Sequence, residues 1–573
     1  MRRVNIVCVF LLIFLNSICI FSQTKNIDAE SPIEYFHQRN KAIDVVKNEK
    51  WQESITILES LIASYQNDAD LFYLLGLSYY QVEDYKKAIT ALKKTIDLGG
   101  TILRDIPTGS APSNDIMIKM AEAYALDGDK ENALLWLRKG FAARYDEKPF
   151  IKGSPAFESF KEDEDFLALF GADTQKDITR EEAWTRDIDY LEKRINELHY
   201  SPNHAISKIS LSNEFLEVKA KITSLSDNQI VVKLMKIIGS LGNGHNLIIP
   251  TSPNKGALKK LPIQLYHFND GIFIVDADES FKQWIGYKVD LIENTPINEA
   301  LQKTNSVNAK DNSMQTLWLG PYYLGMPDIL EDLDIIQNTN QIALTLSDSN
   351  GKSQKVMMNS VEWSFTGFPK IPKLEDNKQP LFLSKIDEPY WSKLFPSDNT
   401  IYIQFNAVTQ KKTQSLKEFN IELRHKINQN NIDNLILDLR HNHGGNGSIL
   451  PPMLKTIINF EVMNPKGRIF VLMGRETFSA GQNLLTDITK YSNPILVGEP
   501  SGSKPNHIGE AGWFKFPYSG LMGLISSQFH QTSKAEDNRK WIAPHIPIRL
   551  SSSDYFDGTD KAMDIVMEII KSD

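Results

Sequence analysis

Ser479 stands in the segment Arg475-Glu476-Thr477-Phe478-Ser479-Ala480-Gly481-Gln482. There an apolar run, Arg468 to Met473, that reads as a strand gives way to a stretch that reads as helix from Ala480 toward Lys490. A serine at a strand-to-helix turn presents its hydroxyl as a nucleophile, and the helix-terminal N–H groups beside it point toward any oxyanion the attack creates. Turns are rich in serine for structural reasons alone, so the hydroxyl gains chemical meaning only from its company. Four more segments follow the order a serine hydrolase needs: the loop Leu241-Gly242-Asn243-Gly244-His245-Asn246, the strand end Leu437 to Asn446 with paired Gly444 and Gly445, Val497 to His507, and Ile542 to Ile548.

Two of these pieces carry a family resemblance. Asp438-Leu439-Arg440-x-Asn442-x-Gly444-Gly445 and Thr477-x-Ser479-Ala480 resemble the S41 peptidases, the C-terminal processing and tricorn-core proteases, over residues 177 to 570. The resemblance implies a core of the ClpP–crotonase type, Ser479 as nucleophile, and the N–H groups of Ala480 and Gly444 as oxyanion donors. No PDZ motif is visible before the core, which places the chain nearer the tricorn-like branch. That branch implies His245 as the base, an imidazole whose ordinary pKa of about 6.5 suits proton transfer at neutral pH. The C-terminal processing branch instead uses a Lys about 25 residues after the Ser, and 504 − 479 = 25 marks Lys504. For the orienting acid the family region is Glu536-Asp537-Asn538-Arg539, with His545 standing after Pro544 where the family has Asp. Asp438 and Arg440 read as a structural ion pair, and His441, His443 and His507 as loop residues. No spacing of His, Asp or Glu argues for metal and no glycine motif for a nucleotide, so no cofactor is expected.

The remaining chain must hold these loops in place. At 573 residues it exceeds one hydrophobic core. The expected architecture is multidomain α+β: a signal peptide over 1–22, a helical repeat domain over 30–172, a helical region over 173–250, a β-rich domain over 251–375, and an α/β core over 376–573. Arg2-Arg3 followed by the apolar stretch from Val7 reads as an export signal, and both cysteines, Cys8 and Cys19, fall inside it. The mature protein would then be periplasmic, envelope-associated or secreted, with no thiol and no transmembrane segment. A net charge of −9 gives no footprint for nucleic acid.

Between residues 35 and 150 a spacing recurs. Phe72, Leu75, Gly76, Tyr79, Ala88 and Leu92 fit a tetratricopeptide repeat starting at Ala69. Ala121, Tyr124, Ala133 and Leu137 repeat it from Asn114, and Ala42, Ser54 and Leu58 from Tyr35. Such a solenoid predicts a protein-binding surface. Trp184, Ile188, Leu191 and Ile195 mark one face of a later helix, and Asp348-Ser349-Asn350-Gly351 a hairpin turn between Ile342–Leu346 and Gln354–Met358. The function these parts imply is an exported serine peptidase acting on a peptide or protein substrate. The alternatives are a degenerate binding scaffold, or a hydrolase of a non-peptide ester or amide.

Overall fold

The computed structural model describes residues 32–101, 103, 113–143, 145, 151–170, 178–250, 258–364, 367, 369–374, 379–510 and 512–572. The expected signal peptide and most of the 101–112 insertion lie outside them. The chain divides into two compact units, one within residues up to Leu169 and one from Phe170 onward.

The first unit carries helices α1 (Pro32–Lys47), α2 (Trp51–Ser64), α3 (Ala69–Gln81), α4 (Tyr85–Asp97), α5 (Ser113–Leu126) and α6 (Lys130–Ala142), each touching the next. Asp68, Asp84 and Asp129 cap three of them by accepting backbone N–H bonds, satisfying donors that a helix start leaves open. The repeat positions Ala42, Ser54, Leu58, Leu75, Ala88, Leu92, Ala133 and Leu137 are all buried. Gly76 shows why a small residue stands where α3 meets α4, since a Cβ there would lie 2.7 Å from Leu92 Cγ.

The second unit opens with α7 (Arg180–Leu198), α8 (Lys208–Ala220) and α9 (Asp227–Ser240), where Thr179 and Ser226 form capping boxes for α7 and α9. Trp184, Ile188, Leu191 and Ile195 are fully buried, as their spacing predicts. An antiparallel sheet follows: β1 (Ile263–Phe268), β2 (Gly271–Ala277), β3 (Lys288–Ile292), β4 (Gln341–Ser347) and β5 (Ser353–Asn359). Ile342 pairs with Met358 and Leu346 with Gln354 across the expected turn.

The last sheet positions the chemistry. Its order is β6 (Tyr390–Phe395), β7 (Thr400–Phe405), β8 (Asn434–Asp438), β9 (Arg468–Met473), β10 (Ile495–Gly498) and β11 (Ile546–Pro547), parallel from β7 onward. Only β6 runs antiparallel, on β7. Ser392 and Lys393 interrupt its apolar run, which hides it from the pattern. Leu435, Leu437, Ile469 and Val471 point to one face and pack with α10 (Leu416–Gln429), α11 (Pro451–Met463) and α12 (Ala480–Tyr491). Ile436, Phe470 and Leu472 point to the other, against α13 (Lys561–Ser572). A sheet buried on both faces leaves its carboxyl edge as the place for a site. Because β8 and β9 are neighbours, the loops that follow them meet there.

Candidate active site

After β9 the chain turns sharply. Thr477 locks the turn: its N–H donates to Gly474 O (2.9 Å), and its hydroxyl donates to Leu439 O (2.9 Å) and accepts from Gly474 N–H (3.1 Å). Phe478 N–H donates to Asn442 O at 2.9 Å. This leaves Ser479 at φ 54, ψ −126, a backbone conformation costly for any residue with a Cβ. Ser479 is the N-cap of α12, yet its side chain makes no capping bond. A structural N-cap serine spends its oxygen on the N2 or N3 N–H. Here the strained turn holds the hydroxyl off the helix.

The paired-glycine loop after β8 lies against that turn. At Gly444 (φ +97) a Cβ would be 2.5 Å from Ser479 Cβ, 2.7 Å from Ala480 N and 3.0 Å from Ser479 Oγ. At Gly445 (φ +132) it would strike Val408 O at 2.4 Å, and Val408 N–H and Asn446 N–H stitch the loop to its neighbour at 2.8 Å each. Ala480 N–H, at the first turn of α12, makes no hydrogen bond among the described residues. Gly444 N–H donates to Asn442 Oδ1 at 3.0 Å, so it reaches an oxyanion only by sharing or leaving that bond. Asp438 and Arg440 form an ion pair (2.6 Å), extended by Asp560 (2.8 Å). Arg475 pairs with Glu499 through Nε at 2.7 Å and NH2 at 2.5 Å, and donates to His267 O at 2.8 Å. Buried charges so satisfied fix the turn on the antiparallel sheet.

His245 is held by a polar network within a loop whose flanks, Leu241 and Ile248, are buried in an apolar core. Gly244 N–H donates to Asp311 Oδ1 (2.9 Å), whose other oxygen accepts from Ser503 (2.7 Å). Asn243 bonds His199 (2.8 Å) and the Ser526 hydroxyl, and Asn246 accepts from Ser526 N–H (2.8 Å). The His245 ring stacks on Phe478 at 4.3 Å and on His507 at 5.5 Å. Both of its nitrogens are buried without a hydrogen bond among the described residues. Burial holds its pKa well below 6.5, with His507 and His530 adding to the effect, so the ring is neutral at pH 7.

His443, a loop residue by its sequence, brings a second imidazole. His443 Nε2 bonds Glu476 Oε2 at 2.9 Å, and His441 Nδ1 lies 3.5 Å from the same oxygen. Burial raises the Glu476 carboxyl, but the two histidines outweigh it and bring the pKa down to about 2. His443 and Glu476 are 33 residues apart in sequence and meet because they follow adjacent parallel strands. The only hint in the sequence is a His beside paired glycines and a Glu inside the nucleophile turn.

Ser479, Phe478, His245 and His443 line one cavity of about 210 Å³. Most of the rest of its wall is apolar or aromatic, including Ile248, Leu319, Tyr322, Tyr323, Met326 and Trp363; Asn246 is polar, and no Lys, Arg, Asp or Glu lines it among the described residues. Lys504 does not line it; its main-chain oxygen lies 3.3 Å from His507 Nδ1. Glu536 is exposed, and Asp537 is engaged by Arg539 (2.7 Å). His545 Nδ1 accepts from Leu496 N–H at 3.1 Å beside β10. Among the described residues no cluster of three or more His, Cys, Asp or Glu could hold a metal, and no helix is long and apolar enough to cross a membrane.

No protein-family model matches the sequence, and no curated protein sequence does. Solved structures do. Mature CPAF is similar at 14% identity and a TM-score of 0.49, over 69% of this chain and 98% of its own. The photosystem II D1 C-terminal processing protease follows at 10% and 0.30, over 65% and 94%, and the tricorn protease at 13% and 0.33, over 70% and 38%. The chain is a mixed α+β protein distantly similar in fold to these proteases.

Proposed function

We propose that this protein is an exported serine peptidase that cleaves peptide bonds through an acyl-enzyme at Ser479. The observation that carries the reading is the Ser479 turn, strained at φ 54 with a hydroxyl that does not cap its own helix and faces a cavity holding two imidazoles. Ser479 Oγ attacks the carbonyl, Ala480 N–H and the paired-glycine loop receive the oxyanion, and water releases the acyl group. The cavity offers His245 and His443 as proton acceptors; a lysine base at Lys504 lacks comparable support. An uncharged, aromatic-rich wall favours substrates with a large apolar side chain beside the scissile bond. The N-terminal helices, read as tetratricopeptide repeats, would bind a protein partner, and the parallel-sheet core is read as ClpP–crotonase type.

A fluorophosphonate probe is expected to label Ser479, and Ser479→Ala to abolish both labelling and peptide cleavage. Cleavage at the wild-type rate by Ser479→Ala would overturn the reading. One observation favours a binding scaffold instead: among the described residues no acid bonds the His245 ring, with Glu536 exposed and Asp537 held by Arg539. Folded wild-type protein that resists the probe would support that second reading. An ester or amide hydrolase would label but leave peptide libraries intact.

A further inference from the structure

We propose that Tyr322 and Tyr323 set the specificity of the cavity beside Ser479, which takes a large uncharged side chain with a hydrogen-bond acceptor at its tip. The inference rests on the peptidase reading above and goes further by naming the class of residue held beside the scissile bond.

Tyr322 and Tyr323 are consecutive in the helix Met314–Leu324, and both line the cavity, with ring centroids 5.8 Å apart and planes at 67°. They bring two hydroxyls to a wall that is otherwise mostly apolar. Trp363, a third lining residue, donates its Nε1–H to the Tyr322 hydroxyl at 2.7 Å. Its own main chain is anchored by Trp363 N–H donating to Leu258 O at 2.9 Å. The indole bond occupies a lone pair of the Tyr322 oxygen and turns the phenol proton away from Trp363. No described residue accepts that proton. Tyr323 is 5% exposed, and its hydroxyl makes no hydrogen bond among the described residues.

Burial raises both phenols, Tyr323 to about 12, so each keeps its proton through the neutral range. Folded proteins rarely leave a buried O–H without an acceptor, because its desolvation is then uncompensated. Two such donors on one cavity wall match an acceptor that arrives with the substrate.

Size and charge narrow the class. A volume of about 210 Å³ takes an aromatic ring or a long side chain. A carboxylate could accept from both phenols, but no Lys or Arg lines the cavity among the described residues, and burying an ion without a countercharge is strongly unfavourable. A neutral acceptor avoids that penalty. Tyr and Gln meet both conditions; Phe and Leu fill the space and leave the donors unpaired.

The test uses the full chain and four peptides built on one sequence that it cleaves in a peptide library. They differ only at the residue before the cleaved bond: Phe, Tyr, 4-methoxyphenylalanine, which accepts but cannot donate, and 4-ethylphenylalanine, of similar shape without oxygen. The kcat/KM values are measured for wild type, Tyr322→Phe, Tyr323→Phe and the double variant, and urea unfolding checks each fold. Wild type is expected to prefer the 4-methoxy over the 4-ethyl peptide by about tenfold. Each single variant should lose part of that preference, and the double variant should bring the ratio close to one. A general loss of stability would slow both peptides alike and leave the ratio unchanged. Equal rates for the two peptides in wild type, or a preference that survives in both single variants and the double variant, overturn the proposal. In either case cleavage that Ser479→Ala abolishes leaves the peptidase reading standing. A peptide library left intact by folded wild-type protein overturns both.

Discussion

Gly444→Ala is the sharpest perturbation the site offers. Two costs add. At φ +97 an alanine sits in a region that L-residues avoid, worth about 1–2 kcal/mol. The new methyl would also stand 2.5 Å from Ser479 Cβ and 2.7 Å from Ala480 N. Neither is the free end of a flexible side chain: one belongs to an already strained residue and the other is backbone at the start of α12. The loop and the turn must therefore part by roughly 0.5–1 Å to restore ordinary contact distances. A displacement of that size at reacting groups costs on the order of 10²-fold, and loss of an oxyanion donor about 10²- to 10³-fold. The expected result is a fall of at least ~100-fold in kcat/KM and in the rate of fluorophosphonate labelling, with folding stability lowered by only about 1–3 kcal/mol. Peptide turnover, probe kinetics and urea unfolding on the same preparation read all three. Near-normal turnover by soluble, folded Gly444→Ala would refute the placement of this loop at the nucleophile.

Further consequences concern stability and specificity. Glu499→Ala strands the buried Arg475 guanidinium and should cost about 3–5 kcal/mol, seen as a lower urea midpoint. His245, His507 and His530 are all held below the ordinary histidine pKa. Their unfolded forms take up protons first, so stability is fully present above pH ~6.5 and falls as the pH drops below it. His245→Phe should make the urea midpoint less sensitive between pH 7 and 5, and an unchanged slope would exclude His245 as a contributor. Gly76→Val overpacks the α3–α4 contact and should cost about 1–3 kcal/mol in the N-terminal unit, measured by limited proteolysis. Ala309→Leu narrows the cavity beside Ser479 and should lower the ratio of kcat/KM for Phe- over Ala-bearing peptides by on the order of tenfold.

The sequence by itself determined what depends on local pattern. An apolar run marked β9, because a strand buried on both faces has no polar alternation to obscure it. Helix period and small residues marked the N-terminal pairs, and the positive φ of Gly444 and Gly445 explains why glycines stand there. The Ser479 turn was legible for the same reason: strand, turn and helix are contiguous. What only the tertiary structure decided is which groups surround that serine. The order β7-β8-β9 lays the loop carrying His443 against the turn carrying Glu476, although 33 residues separate them. Asp311 and the Asn243–Ser526 contact draw the His245 loop to the same cavity from far outside the sheet. Lys504 sits at a suggestive offset along the chain yet does not line that cavity, since spacing in sequence fixes distance only within one element. Proton transfer acts over about 3 Å, and for groups on separate loops that is set by strand adjacency and buried polar bonds.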